Sequence, residues 1–264
     1  MRELPGGQQG DMWHEHRLGR ITASRMNDLM DRTAKGAEGA KRKKYRFELL
    51  AERLTRREQE NRPPSPEMQW GSDQEQFAVQ MFEKACDQFI IPVGFVLHPT
   101  LNHAGASPDG LTQEAILEVK CPKSTTYLQW RLTDGVPEEH KDQMYWQMAC
   151  TGRNKGVFIA YDPRQPESNR IFFRDLPRDE KRIAELEAEA IKMDAEIEAM
   201  IQQLGLPPTE WVIEDGELAL PSKYAPKSKL NQDLEASLRA TEVIDDDWEQ
   251  IIERRVQRVE EGVA

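Results

Sequence analysis

The sequence of 264 residues has little cysteine and no long apolar run. Its three cysteines, Cys86, Cys121 and Cys150, include no Cys-x-x-Cys pair, which argues against a disulfide scaffold and against a four-cysteine metal site within one chain. No apolar stretch approaches the roughly 18–20 residues of a membrane span, and the N-terminus lacks the apolar core of a signal peptide. We therefore expect a protein of the reducing cytoplasm that does not enter a membrane.

Most of the chain has no excess of positive or negative charge. The net charge is -11, but residues 1–177 carry 25 basic and 25 acidic side chains, so the acidity belongs to the C-terminal third. Within the neutral part, residues 41–57 carry eight basic side chains against Glu48 and Glu52. Such a stretch is typical either of a surface that faces a polyanion or of a solvated helix face. Charge alone leaves both interpretations open.

Apolar periodicity and turn residues predict one α+β domain over residues 1–211 and an acidic extension over residues 212–264. Helices are predicted at 24–30, 41–57, 72–87, 125–132, 138–150 and 178–204, and strands at 90–97, 103–106, 116–120, 156–161 and 170–173. The predicted buried faces carry Phe47, Leu50 and Leu54 on the second helix and Phe77, Met81 and Phe82 on the third.

The acidic extension is predicted to contain a linker at residues 221–232 and a short charged helix at residues 245–259. On that helix Trp248, Ile251, Ile252 and Val256 fit one apolar face. Two interpretations of the helix stay open. It either packs on its own assembly or docks into a groove of a partner protein.

The stretch from Ser107 to Lys120 carries the side chains that suggest chemistry. Side chains alternate between the two faces of a strand, so Glu118 and Lys120 share one face. The turn after Asp109 can bring its carboxylate towards Glu118. Two converging carboxylates repel each other unless a divalent cation lies between them, and buried charges need partners. The alternative is a surface hairpin with a Glu–Lys ion pair.

Several motifs flank this stretch in order along the chain. They are Trp13–Ser24, Trp70–Glu75, Ala106–Leu111, Leu117–Pro122, Gln143–Met148 and Tyr161–Arg164. The Pro-Asp…Glu-x-Lys pattern resembles the core of the PD-(D/E)xK nuclease superfamily. The full set resembles the lambda-type phage exonucleases, the alkaline exonucleases of phage recombination, over about Trp13 to Trp211. The resemblance implies a central mixed β-sheet flanked by helices.

The resemblance also implies roles for the residues that match the family's motifs. Asp109 and Glu118 match the metal-binding carboxylates, the Val119 carbonyl matches a backbone ligand, and Lys120 matches the catalytic lysine. Glu75 matches a helix glutamate that completes the acidic cluster through a metal or its water. Gln143 matches a helix glutamine near the active site. A nearby cation would lower the pKa of Lys120, whereas the carboxylates would raise it, and the sequence does not decide between them.

A second group of residues matches those with which the family binds the DNA end. Arg17, Ser24 and Ser107 match residues that hold the 5′-phosphate. The chain departs from the family at Thr126, which stands where an arginine helps to capture phosphate, with Lys123 and Arg131 nearby.

Members of this family digest duplex DNA from the 5′ end with Mg²⁺, release mononucleotides and leave a 3′ single strand. The resemblance therefore implies double-stranded DNA ends as substrate and one or two Mg²⁺ ions, with Mn²⁺ as a substitute. It further implies a toroidal homotrimer, a single-strand annealing protein as partner, no membrane, and the cytoplasm of a bacterium that carries a phage or prophage. It favours a DNA-facing role for residues 41–57. The alternatives are a superfamily endonuclease that cuts flaps or specific sites, and an inactive DNA-binding subunit.

Overall fold

The computed structural model describes residues 1–4, 11–59, 65–209, 212–214 and 217–219. The helices are α1 (Asp11–Arg17), α2 (Met26–Leu29), α3 (Ala40–Thr55), α4 (Pro66–Cys86), α5 (Ser124–Thr133), α6 (Glu138–Thr151) and α7 (Glu180–Gln203). The strands are β1 (Arg2–Glu3), β2 (Ile21–Thr22), β3 (Val96–Leu97), β4 (Ala104–Ala106), β5 (Gly110–Leu111), β6 (Ala115–Lys120), β7 (Lys155–Tyr161), β8 (Ile171–Pro177), β9 (Val212–Glu214) and β10 (Glu217–Ala219). This is the predicted combination of mixed sheet and flanking helices.

The larger strands form a mixed four-stranded sheet in the order β5-β6-β7-β8. β6 and β7 run parallel, while β5 and β8 are antiparallel to their neighbours. A second four-stranded sheet of short strands has the order β1-β3-β4-β2. A parallel pair requires a long crossover, and the helices α5 and α6 supply it between β6 and β7.

Alternation along β6 sends its side chains into two separate cores. Ile116 packs with Phe158, Met144 and Trp146 on the α6 side of the sheet, whereas Leu117 belongs to a second core on the α4 side. The second core also contains Val119 and Ile159 of the sheet and Ala78 and Phe82 of α4. Glu118 therefore lies on the α6 side, in a position that a neutral side chain would normally fill.

The structure corrects several predicted boundaries. α4 begins at Pro66, six residues before the predicted start, because proline is favoured at the first position of a helix, where its missing N–H costs nothing. The predicted strand 90–97 is reduced to Val96–Leu97, with an isolated bridge at Ile91. β8 continues to Pro177, beyond the predicted Phe173. Residues 221–232 and 245–259, predicted as linker and helix, lie outside the described residues.

Two aromatic residues that were predicted to be buried are exposed. Phe47 is 49% exposed and Phe77 is 45% exposed, so the predicted faces of α3 and α4 were wrong at these positions. On α3 the buried face carries Tyr45 and Leu49 together with the arginines Arg42 and Arg53. The ion pairs of Arg42 and Arg53 with carboxylates of α7 determine which face of α3 is buried. The spacing of apolar residues alone does not predict this orientation.

The basic stretch on α3 is divided between the interior and the surface, because Lys41, Lys43, Lys44 and Arg57 are exposed while two arginines are buried. Arg42 and Arg53 are buried and pair with the acidic side of α7, including Glu196 at 2.8 Å from Arg42 and Asp194 at 2.7 Å from Arg53. Arg46 also binds Glu196, at 2.6 Å. The acidic helix and the basic helix thus neutralise each other. Within the described part of the chain, no helix is long and apolar enough to cross a membrane.

Candidate active site

A hairpin places Asp109 beside the strand that carries Glu118. The antiparallel register of β5 and β6 sets Gly110 opposite Leu117, and the Asp109 N–H donates to the Leu117 carbonyl at 3.1 Å. The Asp109 carboxylate then accepts a hydrogen bond of 2.6 Å from the Val119 N–H. Asp109 is therefore fixed by the backbone of the strand between Glu118 and Lys120, as predicted from the turn.

Glu118 is fully buried and each of its oxygens is bonded. Gln143 of α6 donates to Oε1 at 2.7 Å, and Gln147, one helical turn further on, donates to Oε2 at 2.6 Å. The Lys120 ammonium also contacts Oε1. Burying a carboxylate is costly unless it is hydrogen-bonded and paired, and these three donors meet that requirement.

Gln147 was not predicted as a site residue. The signal for it was present, because Gln143 and Gln147 are four residues apart on a helix and therefore share a face. Gln147 is fully buried, and its own amide oxygen has no hydrogen-bond partner among the described residues. A buried amide that is satisfied on one side only is costly to the fold, so its bond to Glu118 has a functional rationale.

Glu75 extends the acidic cluster from the other side of the sheet. Burial and the charge of Glu118 raise the pKa of Glu75, while the positive charge of Lys120 opposes them. Burial first, and then the charges of Glu118 and Glu75, raise the pKa of Asp109 well above its usual range. The three carboxylates thus act on one another and share one ammonium. With one ammonium near them among the described residues, the three carboxylates are ionised together only beside a further cation.

Lys120 is protonated in this environment. Burial alone would lower its pKa, but the carboxylates of Glu118 and Asp109 outweigh burial and raise it above its ordinary value. The described residues by themselves therefore decide the competition in favour of the ammonium form. Burial and the nearby ammonium lower the pKa of His140, so that imidazole is held neutral.

The oxygen donors of the acidic cluster are paired with protein groups. The described residues contain no group of three His, Cys, Asp or Glu side chains already gathered as a metal site. Instead, the Lys120 ammonium lies on Glu118 and the Asp109 carboxylate bonds to the Val119 amide. The donor set is nevertheless of the kind that hard divalent cations bind, because it consists of carboxylate and carbonyl oxygens and its carboxylates outnumber its one ammonium.

The residues predicted to hold the 5′-phosphate form a connected group. Arg17 donates to the Ser24 hydroxyl at 3.4 Å and its guanidinium lies 4.4 Å from the centre of the Trp13 ring. Trp13 in turn donates from its indole nitrogen to the Ser107 hydroxyl at 2.8 Å. Since Ser107 lies two residues before Asp109, this chain of contacts leads from Arg17 to the acidic cluster.

Arg17 lines a small cavity of about 140 Å³ together with Ser24 and Arg25 and with the carboxylates Glu52 and Glu58. Burial lowers the pKa of Arg17, and the charges of Glu58 and Glu52 oppose this effect. An anionic ligand in this cavity would contact the guanidiniums of Arg17 and Arg25 beside these two carboxylates.

The residues near the family's missing arginine are occupied elsewhere. Lys123 is exposed and pairs with Glu67 at 3.3 Å, and Arg131 donates to Asn169 at 3.2 Å. Neither contacts Asp109, Glu118 or Lys120 in the hydrogen bonds and ion pairs of the described residues.

Fold and site together define a phage-type exonuclease with the PD-(D/E)xK core. The YqaJ-like viral recombinase domain matches residues 12–154, more than half of the chain. The protein therefore belongs to the YqaJ-like viral recombinase family.

Solved structures agree with this assignment. The alkaline exonuclease LHK-Exo of Laribacter hongkongensis is 36% identical, with a TM-score of 0.68 over 74% of this chain and 96% of its own. The same enzyme in complex with dAMP gives a TM-score of 0.69. A phage-related exonuclease of Haemophilus somnus is 10% identical with a TM-score of 0.55, covering 70% of this chain and 96% of its own, and supports the fold alone. Among curated proteins, no match to the chain was found.

Proposed function

We propose that this protein is a Mg²⁺-dependent 5′→3′ exonuclease that digests linear double-stranded DNA from 5′-phosphorylated ends. It releases mononucleotides and leaves 3′ single strands for annealing-type recombination. The observation that carries the proposal is the cluster of Asp109, Glu118 and Glu75 around the ammonium of Lys120, in which Glu118 is fully buried and the other two carboxylates are partly buried. Three neighbouring carboxylates repel one another and suit a site that binds cations.

Asp109, Glu118 and the Val119 carbonyl would hold the metal, with Glu75 contributing directly or through water. Mg²⁺, or Mn²⁺ in its place, would supply an activated water and neutralise charge at the scissile phosphate, whether one or two ions bind. Gln143 and Gln147 hold the Glu118 carboxylate in one orientation, since each donates to a different oxygen. Fixed first ligands are what a metal site requires.

Lys120 acts as a cation in this scheme. Its ammonium lies on Glu118 and is stabilised in the charged form by both carboxylates. When these carboxylates bind a metal, the ammonium is free to donate to a phosphate oxygen and to stabilise the negative charge that develops there. Lys120 thereby combines charge stabilisation with orientation of the attacking water.

Arg17, Ser24 and Ser107 would bind the terminal 5′-phosphate. A guanidinium makes charge-assisted, often bidentate bonds to a phosphate dianion and much weaker ones to a hydroxyl. The link through Trp13 to Ser107 supports a phosphate site at a fixed separation from the acidic cluster. Such a site favours an enzyme that starts at ends over an endonuclease.

The activity is tested with a 5′-phosphorylated linear duplex and a closed circle, each incubated with Mg²⁺. We expect loss of the linear DNA alone and release of mononucleotides. Cutting of the circle would favour the endonuclease, and the absence of any cleavage would favour an inactive DNA-binding subunit. Recognition of the 5′-phosphate is tested with Arg17→Ala, which we expect to erase the preference for a 5′-phosphate over a 5′-hydroxyl end. Arg131→Ala, whose partner is Asn169, is the matched control.

The assembly is proposed by the same reasoning. We infer a homotrimer that encloses its DNA, a single-strand annealing protein as partner and a cytoplasmic location in the bacterial host. The membership in a viral recombinase family supports this inference. A mass measurement of the full chain in solution tests the trimer, and co-purification with the annealing protein tests the partner.

A further inference from the structure

A second cavity adjoins the acidic cluster and has a different lining. It has a volume of about 380 Å³ and lies between the first turns of α4 and the residues that follow β6. Cys121 and Pro122, which come directly after Lys120, form one wall, and Pro66 and Trp70 form the other. Because Cys121 directly follows Lys120, the wall that it forms lies next to the acidic cluster.

Arg164 provides a fixed cationic group in this cavity. Its guanidinium lies 4.3 Å from the centre of the Trp70 ring, donates from Nε to Asp162 at 2.6 Å and from Nη2 to the Pro122 carbonyl at 2.8 Å. Asp162 is itself fully buried and is held by Ser124 at 2.6 Å. The guanidinium of Arg164 and the indole of Trp70 are thus held against each other in a fixed arrangement.

The rim of the cavity carries an exchangeable cation. Lys123 and Glu67 form an ion pair of 3.3 Å in which both side chains are more than half exposed. Such pairs contribute little to stability, so a phosphate can replace the carboxylate as the partner of Lys123 at small cost. An aromatic and proline wall with cations on one side fits a flat π-system attached to a phosphate chain.

We propose that this cavity, formed by Trp70, Pro66, Pro122, Arg164 and Lys123, binds an unpaired base of the DNA strand next to the scissile phosphate. The proposal rests on the proposed function, because an enzyme that removes nucleotides from a duplex end must separate the terminal base from its partner. Trp70 supplies the stacking surface, Arg164 fixes the indole, and Lys123 binds the adjoining phosphate. Trp70 and Lys123 are then positioning residues for the strand that is cut.

The test measures binding without hydrolysis, using the full chain with Asp109→Asn. The probes are two fluorescent 5′-phosphorylated duplexes with a short unpaired 5′ end, one with bases and one with abasic sugars at the unpaired positions. Base–aromatic stacking predicts that Trp70→Ala raises the Kd for the base-containing probe about tenfold and changes the Kd for the abasic probe less than about twofold. Trp70→Phe should stay within about threefold of Trp70 on both probes.

Two controls make the result decisive. Phe89→Ala removes an aromatic residue that is 94% exposed and lines a different cavity, and it should leave both Kd values unchanged. Thermal melting shows whether each variant is folded, and Trp70→Leu, which keeps an apolar side chain without an aromatic face, replaces Trp70→Ala if that variant is not folded. Equal weakening on the two probes, or none, would overturn the subsite. A wild-type chain that is inactive on linear DNA but still distinguishes the probes would refute the exonuclease and retain the subsite.

Discussion

Two regions of the molecule bury charged side chains, and they differ in how the charges balance. Between α3 and α7, the arginines Arg42, Arg46 and Arg53 face glutamates and an aspartate of the acidic helix at 2.6 to 3.1 Å. In the acidic cluster, three carboxylates share one lysine. Both regions have desolvated charges, but in the first each carboxylate contacts an arginine, whereas in the second Glu118 alone forms an ion pair among the described residues. We call the first region balanced and the second unbalanced, and this difference indicates function better than burial alone does.

The balanced region explains why three arginines of a strongly basic segment are paired within the fold. Its partners lie about 150 residues further along the chain, as for Arg42 and Glu196. Buried ion pairs are often no more stable than apolar packing, yet removal of one partner leaves an uncompensated charge. The α3–α7 contact is thus sensitive to single substitutions without being a binding site.

The largest effect is expected in the unbalanced region. Asp109→Asn or Glu118→Gln removes one negative charge at nearly constant volume. Since loss of a group that merely supports a metal ligand already costs 10- to 100-fold, loss of the ligand should lower the hydrolysis rate about 100-fold or more. The fold should persist in Asp109→Asn, because the change relieves repulsion among carboxylates. By contrast, Glu118→Gln leaves Gln143 or Gln147 without its acceptor and should also cost about 1–3 kcal/mol of stability. The release of acid-soluble nucleotide from linear DNA measures the rate.

Asp175→Asn is the matched control for this prediction. Asp175 is an exposed carboxylate that pairs with Lys155 at 3.2 Å. Its substitution should leave the rate within about twofold, since exposed pairs contribute little. Residual activity of more than a few per cent in Asp109→Asn at saturating Mg²⁺ would remove Asp109 from the metal site.

The next largest effect is expected in the balanced region, on stability. Arg53→Met deletes the cation that binds Asp194 and Glu198 and donates to the Gly19 carbonyl at 3.0 Å. Leaving these groups without their partner should cost about 3–5 kcal/mol of unfolding free energy. Urea denaturation measures it, with Lys155→Met as the exposed counterpart at about 0–1 kcal/mol. Equal losses in the two variants would show that burial of the pair has no special cost.

The sequence predicted the unbalanced region better than the balanced one. The hairpin at Asp109 and the strand with Glu118 and Lys120 follow from local patterns, namely a turn and alternation over a few residues. The pairing of α3 with α7 depends on two helices that are distant in the chain, and local charge counts contain no such information. For the same reason the pattern missed that Phe47 is exposed while Arg42 is buried.

The site itself was predicted in part. Strand alternation and the resemblance gave Asp109, Glu118 and Lys120, and the structure brings them together. Gln147 was missed although it lies four residues after Gln143, because this spacing gains its meaning only when α6 is placed over Glu118. The predicted helix at 72–87 began too late, since Pro66 is the first helical residue of α4.

A smaller effect concerns acid stability at the α3–α7 contact. His103 is nearly buried beside Asp194 at 3.2 Å, and burial, reinforced by the charges of Arg53 and His98 but opposed by those of Asp194 and Glu198, lowers its pKa to about 4 from 6.5. The unfolded chain therefore takes up the proton first, so stability is present above about pH 6.5 and is lost as the pH falls towards 4. The loss should be about 2 kcal/mol between pH 7 and pH 5.

His103→Asn should remove this contribution to the slope of unfolding free energy against pH. The exposed residue His14, which pairs with Glu58 on the surface, provides the control substitution His14→Asn. An unchanged slope in His103→Asn would mean that other groups cause the acid sensitivity. A reduced slope would show that the balanced region depends on the neutral form of this imidazole.

The smallest effect on stability is expected for substitution of Gln147. This substitution tests whether Gln147 serves the acidic cluster or is a structural polar group like those between α3 and α7. Gln147→Met keeps the volume and removes the donor to Glu118 Oε2, while Gln143 and Lys120 still hold Oε1. Loss of one hydrogen bond to a buried carboxylate should cost about 1–2 kcal/mol, reduced by removal of the unpartnered amide oxygen. The hydrolysis rate should also fall, by about tenfold, because a loosened ligand lowers metal affinity.

The discriminating measurement for Gln147→Met is the Mg²⁺ dependence of hydrolysis. A raised half-saturating Mg²⁺ concentration with a retained melting temperature identifies Gln147 as a positioning residue for Glu118. An unchanged Mg²⁺ dependence with a lowered melting temperature would assign Gln147 to the balanced, structural kind of buried polar group.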